Sequence, residues 1–456
     1  MFNLPKPFGL GAARRGPRPL PCVRFTLLVG LGSRLAFAQS PPAPATPPAT
    51  PPPSTEASPT PAPEATPPPA PASAAEADLA SIEAALAQDS AAASAPPATP
   101  TPSAPNGAPP SMNPDISLIA DFALAAFSPN QPHQTGDHDP QQSGFNLQAL
   151  ELSLGASVDP YLRFDTHIAF SLEGVEVEEA YATTLNLPGR LQARFGQFLT
   201  RFGRLNPSHP HAWEFADQPF VLGRYFGGEG NRGLGLELSY LTPLPWYVEL
   251  VASATNADGE GTARSFYGAD NPGVQGPSDL LYVGAVKQFF ELSPDWSLFW
   301  GLSGAFGPNA SGDDHRSEIY GTDLYLKFRP ITEQSPPVVS LQTEWLYRRR
   351  QLETNTLHDY GGYAQLMYRF AQRWSGAGRF EYGSLTRDQN GDPAPDPLDP
   401  EWTKNRRRWS LALTHYPTEF SRFRLQGGRD IGLEPSVWSV FLAAEVAIGA
   451  HGAHSF

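Results

Sequence analysis

The sequence predicts an all-β protein: a 16-stranded antiparallel transmembrane β-barrel preceded by a disordered Pro/Ala-rich segment. From Asp115 onwards, apolar residues recur at every second position, as they do in strands with one apolar face. Short connections alternate with long ones through this region. After the N-terminal region no run of eighteen apolar residues occurs, which excludes membrane-spanning helices but not a barrel, whose strands meet lipid only at alternate positions.

The stretch from Gly233 to Ala254, GLGLELSYLTPLPWYVELVASA, shows the repeating unit. Leu234, Leu236 and Leu238 alternate with small or polar residues, and aromatic residues flank the turn. A strand of about ten residues that is apolar outward and polar inward, with aromatic ends, is typical of outer-membrane barrels. We therefore expect these leucines to face lipid and the acidic side chain between them to face the lumen.

The same pattern predicts sixteen strands, an even number that lets an antiparallel barrel close with both chain ends on one side. The predicted strands are residues 115–127, 146–158, 161–172, 175–187, 190–199, 232–241, 246–254, 279–290, 296–306, 318–329, 338–349, 360–370, 374–385, 406–416, 421–430 and 436–448. If the N-terminus is periplasmic, the extracellular side carries the long loops, at residues 128–144, 200–231, 255–278, 307–317, 350–359 and 386–405.

The N-terminal region divides into two parts. Residues 1–38 combine a basic leader, the apolar run FTLLVGL and an Ala-Phe-Ala site, which together predict a secretory signal peptide. Residues 39–112 are rich in Pro and Ala and cannot bury enough apolar surface to order themselves, so we expect a disordered periplasmic linker. Residues 76–88 carry an apolar stripe at helical spacing, either a transient helix or a docking helix. The barrel would then span residues 113–456.

Composition narrows the class of function. The formal net charge of −14 argues against nucleic acid as a partner. Cys22 is the only cysteine and lies in the segment expected to be removed, which excludes a disulfide framework and a cysteine metal cluster in the mature protein. No Ser-His-Asp order, nucleophile elbow or carboxylate pair stands out, so we expect neither an enzyme nor a cofactor.

The C-terminus adds a signal for membrane assembly. The last predicted strand alternates apolar residues outward, and the chain ends in HGAHSF with Phe456 as the final residue. A terminal aromatic residue after an amphipathic last strand is typical of substrates of the barrel assembly machinery. We therefore expect Phe456 to be the assembly signal of a barrel in the outer membrane of a Gram-negative bacterium.

One segment carries a family resemblance. VEVEEAYATTLNLPGRLQARFGQFLTRFGRLNP, from Val175, resembles the acidic-x-Ala-Tyr, Gly-Gln-Phe and Phe-Gly pattern of phosphate-selective porin O and P type barrels; the matching residues are Glu179, Ala180, Tyr181, Gly196, Gln197, Phe198, Phe202 and Gly203. NPSHPHAWEFADQPF and the C-terminal GAHGAHSF are similar to related uncharacterised proteins, some labelled zinc-regulated TonB-dependent outer membrane receptor. The resemblance implies passive diffusion of small solutes or ions, including anions such as phosphate, a long loop inside the lumen, and a homotrimer.

A porin needs charges along a wet lumen and a loop that narrows it, and loop 200–231 is the predicted constriction. Either these charges line an ion path, or opposite charges pair along the wall and make it rigid. Lysine is scarce, with four residues in the whole chain, although arginine can hold phosphate with two parallel hydrogen bonds. The predicted pore and constriction residues are Arg163, Asp165, His167, Arg194, Arg201, Arg204, Arg224, Glu237, Arg369, Arg379 and Glu381.

Loop 200–231 also contains the predicted metal site. His209 and His211 are two apart on an extended backbone and so point to the same side, and Glu214 and Asp217 lie near enough in sequence to complete a set of ligands. Two other interpretations remain open: a polar plug folded into the lumen, and an exposed loop. The Asp137-His138-Asp139 stretch is interpreted as a solvated loop tip.

Two alternatives to a passive porin remain open. The first is a receptor or transporter for a metal or metal complex, although an energised receptor needs about twenty-two strands and an ordered plug. The second is a structural barrel that anchors the Pro-rich arm, with contact to peptidoglycan through residues 39–112. In any of these, Arg348–Arg350 and Arg406–Arg408 at extracellular strand ends would bind lipopolysaccharide phosphates.

Overall fold

A computed structural model describes residues 114–449, except residues 173, 260, 271 and 332–336. The predicted signal peptide, the linker with its short helix, and Phe456 therefore lie outside the described residues. Within the described part, no helix is both long enough and apolar enough to cross a membrane.

Sixteen antiparallel strands form one closed barrel in which each strand pairs with its neighbours in sequence and β1 pairs with β16. Their bounds are β1 Asp115–Ser128, β2 Gly144–Ser157, β3 Leu162–Phe170, β4 Val175–Thr184, β5 Leu191–Leu199, β6 Arg232–Leu241, β7 Tyr247–Asn256, β8 Leu280–Ser293, β9 Trp296–Pro308, β10 Arg316–Phe328, β11 Val338–Gln351, β12 Thr356–Ala371, β13 Trp374–Gly383, β14 Arg406–Thr418, β15 Ser421–Ile431 and β16 Val437–Gly449. The predicted fold and strand number are confirmed, and the predicted bounds differ by four residues at most.

The outer surface is apolar and the inner surface polar, as the alternation predicts. On β6, Leu234, Leu236 and Leu238 are 57%, 47% and 46% exposed, whereas Glu237 between them is 1% exposed. The side chains of a strand alternate between the two faces, so the leucines cover the outside and the glutamate enters the interior. A polar lumen inside an apolar band is what a barrel in lipid requires.

The two ends of the barrel differ in the length of their connections. One end carries long loops at residues 129–143, 200–231, 257–279 and 384–405, while the opposite end has short turns such as the one between β9 and the preceding strand. The predicted alternation of long and short connections is incomplete: the predicted long loop 350–359 is a turn of four residues, 352–355, and the predicted loop 307–317 shortens to 309–315. Residues 171–174 and 432–436 at the same end are short as well. Each joins strands whose registers run almost to the turn, which leaves no residues for a longer loop.

The interior of the barrel holds an apolar core, formed where loop 200–231 folds inward. This loop contains a 3-10 turn at Pro210–Ala212 and one short α-helix, α1 (Phe220–Phe226), and all seven residues of α1 are buried. Phe202, Phe220 and Phe226 pack there with the wall residue Tyr363 and with Trp402 of loop 384–405. Since a ring of strands encloses it, the loop can bury its apolar residues and still leave the outer wall free for lipid.

Candidate functional site

Loop 200–231 is tied to the barrel wall through its own backbone. The carboxylate of Glu344 on β11 accepts the N–H groups of Arg204 at 3.2 Å and Leu205 at 2.8 Å, and it also accepts the Tyr363 hydroxyl at 2.6 Å. Glu381 on β13 accepts the N–H of Phe220 at 2.7 Å, at the start of α1. A loop inside the lumen cannot leave its polar backbone unpaired, and acidic wall residues satisfy it. The loop is therefore a plug folded into the lumen and held by hydrogen bonds, as predicted, although its centre is apolar.

Asp217 in this loop is held by two buried arginines. Its carboxylate lies 2.6 Å from Arg379 and 3.1 Å from Arg408, and all three side chains are at most 2% exposed. Burial alone would raise the pKa of Asp217, but the guanidinium groups of Arg379 and Arg408 outweigh it and hold the pKa below its usual value. Arg379 also contacts Glu381 at 2.9 Å, so these charges form one paired network.

A second buried network lies beneath the long loops. Arg224 of α1 contacts Asp359 at 3.0 Å, donates to the Ser384 carbonyl at 2.9 Å and stacks over Trp402 at 3.8 Å. Arg348 on β11 contacts the same Asp359 at 2.9 Å and Asp396 at 2.5 Å. Burial would raise the pKa of Asp396, but the arginines beside it lower it to about 2. These pairs fasten α1 and loop 384–405 to the wall.

The remaining predicted pore residues lie inside the barrel, mostly in ion pairs. Arg194 lies 3.1 Å and Arg201 2.8 Å from Glu237, Arg163 lies 2.9 Å from Asp165, and His167 lies 2.9 Å from Glu151. Arg204 stacks over Tyr325 at 3.8 Å, and Arg369 lies over Tyr416 at 5.5 Å. Of the two interpretations left open, the structure shows paired charges along the wall for most of this set.

The predicted metal residues separate into two places. His209 lies 2.9 Å from Glu179 and 3.2 Å from Glu178, and His211 lies 3.2 Å from Glu151. Asp217 instead belongs to the arginine network described above. Glu214 interacts electrostatically with Arg369, Arg422 and Arg424, on the β12–β15 side of the lumen. This corrects the predicted group. His209 and His211 lie together beside glutamates, whereas Glu214 and Asp217, although close in sequence, face arginines.

The imidazoles belong to a larger group, here called the histidine–glutamate cluster, on the lumen face of β2–β4. It unites wall residues with residues of loops 129–143 and 200–231, and its side chains are 6–22% exposed. Its members are Glu151, Glu178, Glu179, Glu229, His138, His167, His209 and His211. His138 is therefore not part of a solvated loop tip, because its Nε2 lies 2.8 Å from Glu178 and 3.2 Å from Glu229.

Of this cluster, the sequence predicted only His209 and His211 as metal ligands. His167 was predicted as a pore residue, Glu179 was identified only as part of the family motif, and His138 was assigned to the surface. Glu151, Glu178 and Glu229 were not considered. The sequence signal for the wall glutamates was the alternation, which can place Glu151 and Glu179 on the inward face of their strands. The structure adds a bulge in the β3–β4 pairing beside Glu178 and Glu179. That bulge lets both adjacent glutamates turn inward, where each is 5% exposed.

The arginine triplets are also corrected. Arg348, Arg350, Arg406 and Arg408 are 0–4% exposed and face the interior, where they pair with Asp359, Asp396 and Asp430. Because strand residues alternate between faces, only the central residue of each triplet, Arg349 or Arg407, faces outward. Binding of lipopolysaccharide by whole triplets is therefore excluded.

A cavity of about 1010 Å³ opens among the long loops, lined by Thr135, Gly223, Arg264, Tyr267, Asp399 and neighbouring residues. Deeper in the barrel, between loop 200–231 and the wall, are two much smaller cavities of about 20 and 30 Å³. Each of these has room for roughly one water molecule or ion. A wide vestibule thus lies among the long loops, and two small cavities lie beside loop 200–231.

This chain is similar in sequence to one known protein and similar in fold to barrels among the solved structures. An uncharacterised protein of Aquifex aeolicus (strain VF5) is 33% identical over 389 residues, covering 75% of this chain and 80% of the relative. The structure of Pseudomonas putida OprB is 10% identical, covers 74% of this chain and 94% of OprB, and has a TM-score of 0.50. The outer membrane channel DcaP of Acinetobacter baumannii is 12% identical, covers 74% of this chain and 96% of DcaP, and has a TM-score of 0.49. No family model matches the chain. The likeness to OprB supports the fold.

Proposed function

Since the chain belongs to the same family as the uncharacterised Aquifex aeolicus protein and folds as a closed sixteen-stranded barrel, we propose that it is an outer-membrane porin. Small solutes or ions would enter the vestibule and diffuse passively past loop 200–231. The observation that carries the proposal is the inward loop tethered by Glu344 and Glu381, since a folded loop that narrows a polar lumen is what a diffusion pore requires.

The narrowness of the interior limits what could pass. Loop 200–231 fills part of the lumen where Glu344 and Glu381 hold it, so only small species would pass beside it. The energised receptor alternative gains no support from the barrel, whose sixteen strands fall short of the roughly twenty-two that such receptors use. A passive route remains the better interpretation.

A preference for small anions, including phosphate, is the finer part of the proposal. The lumen face of β10 and β12 carries Lys327 and Arg369, and Arg204 extends from the loop above this wall. Arg422 and Arg424 on β15 do not belong to this series, because both are buried and donate to the Trp213 carbonyl. Cations along one wall lower the energy of an anion in a narrow lumen more than in open water, because the local dielectric is lower. Lys287 does not extend this series, since it is buried and donates to the Gly203 carbonyl.

The apolar outer band supports insertion in the outer membrane, with the long loops outside the cell and the N-terminal linker in the periplasm. Arg349 and Arg407 face outward near the long-loop end, where lipopolysaccharide phosphates would lie. A homotrimer remains a prediction. The same holds for recognition of Phe456 by the barrel assembly machinery and for contact of residues 39–112 with peptidoglycan, since both involve residues outside the described part. Conductance of the purified protein in a planar bilayer tests the pore directly.

A further inference from the structure

The histidine–glutamate cluster plays no part in the proposed diffusion pore. It brings together four carboxylates and four imidazoles from five segments of the chain, all facing one side of the lumen. Buried carboxylates at this density must be neutralised by bound protons, by basic groups or by cations, since unpaired buried charges are costly. The geometry of the individual atoms distinguishes among these.

His138 is oriented as a metal ligand. Its Nδ1 lies 3.3 Å from the Gln148 carbonyl, which can only accept, so Nδ1 carries a proton and Nε2 is the atom directed at the carboxylates. Nε2 lies 2.8 Å from an oxygen of Glu178 and 3.2 Å from an oxygen of Glu229, without the alignment of a hydrogen bond to either. Two carboxylates this close to one ring nitrogen need either a second proton on the ring or a cation between the three groups.

The spacing fits a shared ion. Zinc lies about 2.0–2.2 Å from imidazole nitrogen and carboxylate oxygen, so two of its ligand atoms are about 3.0–3.5 Å apart. The distances of 2.8 and 3.2 Å around His138 Nε2 are close to this range. The cavity of about 30 Å³ lined by His138, Glu178, His209 and Glu229 has room for about one ion.

A second group of ligands adjoins the first. The Nδ1 of His167 lies 2.9 Å from Glu151, and the Nδ1 of His209 lies 3.6 Å from the other oxygen of the same carboxylate. On the far side of the His209 ring, Nε2 lies 2.9 Å from Glu179, whose other oxygen accepts the N–H of Leu199 at 2.7 Å. A carboxylate on the outer nitrogen orients a histidine and makes it a stronger metal ligand, as in many zinc sites.

Glu178 joins the two groups. One of its oxygens lies 2.8 Å from His138 and the other 3.2 Å from His209, the arrangement of a carboxylate that bridges two ions. The alternative, in which all imidazoles are protonated, places like charges close together, because the rings of His167 and His209 are 4.4 Å apart. Glu229 also contacts Arg232 at 3.2 Å, so bound cations would balance the charge that remains on the other carboxylates.

We propose that the histidine–glutamate cluster binds two divalent transition-metal ions, one held by His138, Glu178 and Glu229 and the other by Glu151, His167 and His209, with Glu178 between them. Mixed nitrogen and oxygen ligands without sulfur suit Zn²⁺ and its neighbours rather than Ca²⁺ or Cu⁺. The bound ions would fasten loops 129–143 and 200–231 to β2–β4. Binding itself does not depend on the proposed pore, whereas any effect on conductance does.

The test uses the full chain, purified in detergent, stripped with a chelator and equilibrated with Zn²⁺ at neutral pH. We expect two zinc ions per chain by elemental analysis and, with Co²⁺ as a spectroscopic substitute, visible absorption from a nitrogen- and oxygen-ligated site. Fewer than one ion per folded chain, or a cobalt spectrum identical to that of the aqueous ion, overturns the proposal. One ion per chain overturns the bridged pair.

Three variants assign the ligands. Glu178→Gln, nearly identical in shape, should weaken binding of both ions by at least about tenfold, while His138→Gln and His167→Gln should each remove one ion. His315→Gln is the matched control, since His315 contacts Ser311 in a loop far along the chain and should leave both ions bound. Unchanged stoichiometry in all three folded variants would contradict the assignment, and the wild-type measurement stands even if a variant fails to fold.

Discussion

The carboxylate of Glu344 on β11 accepts the backbone N–H of Leu205, 139 residues earlier in the chain, at 2.8 Å. Through this contact and the neighbouring one to Arg204, a single wall residue fixes the point where loop 200–231 enters the lumen. No salt bridge competes for the Glu344 carboxylate among those between described residues, so its acceptor capacity is directed to the loop and to Tyr363.

Replacing this tether should loosen the constriction. Glu344→Gln keeps the shape but weakens charge-assisted hydrogen bonds to the loop, so we expect faster amide hydrogen exchange at residues 202–208 and a larger single-channel conductance. Glu318→Gln is the matched control, because Glu318 is 26% exposed and contacts outward-facing Arg349. Equal exchange rates in the two variants would show that Glu344 does not hold the loop.

The Asp217 pair makes a prediction about stability. Asp217→Asn leaves Arg379 and Arg408 buried with one carboxylate fewer, and breaking a buried ion pair from one side costs about 3–5 kcal/mol. Unfolding by guanidinium in detergent measures this cost, and Asp165→Asn, at a less buried pair with Arg163, should cost far less. A loss below about 1 kcal/mol for Asp217→Asn would mean that Glu381 and Asp430 already neutralise both arginines.

The pairing of Asp396 with Arg348 and Arg350 predicts a pH dependence. The folded-state pKa of about 2 lies below the ordinary aspartate pKa of 3.8, so the contribution of this carboxylate to stability is complete above about pH 4 and is lost as the pH falls through 2. The difference in pKa corresponds to about 2 kcal/mol. Asp396→Asn should therefore be less stable than the wild type at pH 7, with the gap closing between pH 4 and 2. A gap that is constant over this range would assign the loss to packing.

Ion preference should follow the arginines of the lumen. Arg204→Gln removes a positive charge that stacks over Tyr325, and we expect the reversal potential in a salt gradient to shift away from the anion potential. Arg407→Gln, on the outward face of β14, removes the same charge from the outer surface and should leave the reversal potential unchanged. An equal shift in both variants would indicate a surface effect.

The strands were predictable from sequence because their signal is local. Alternation every second residue and short turns predict the bounds of β6, and they predict those of most other strands to within two residues. The alternation also contained the correct orientation of Arg348 and Arg350, although three consecutive arginines suggested a surface patch. The histidine–glutamate cluster was beyond reach, because barrel closure brings His138, Glu178 and Glu229 together from distant segments.

The central claim is that this barrel conducts small solutes, and planar-bilayer conductance of the purified full chain tests it most directly. The account predicts stepwise openings of small size, with a reversal potential in a salt gradient directed toward the anion. Phosphate block would support the finer preference, while block by Zn²⁺ that is lost in Glu178→Gln would connect the cluster to the loop. Absence of openings from well-folded protein, including the Glu344→Gln variant, would contradict the porin.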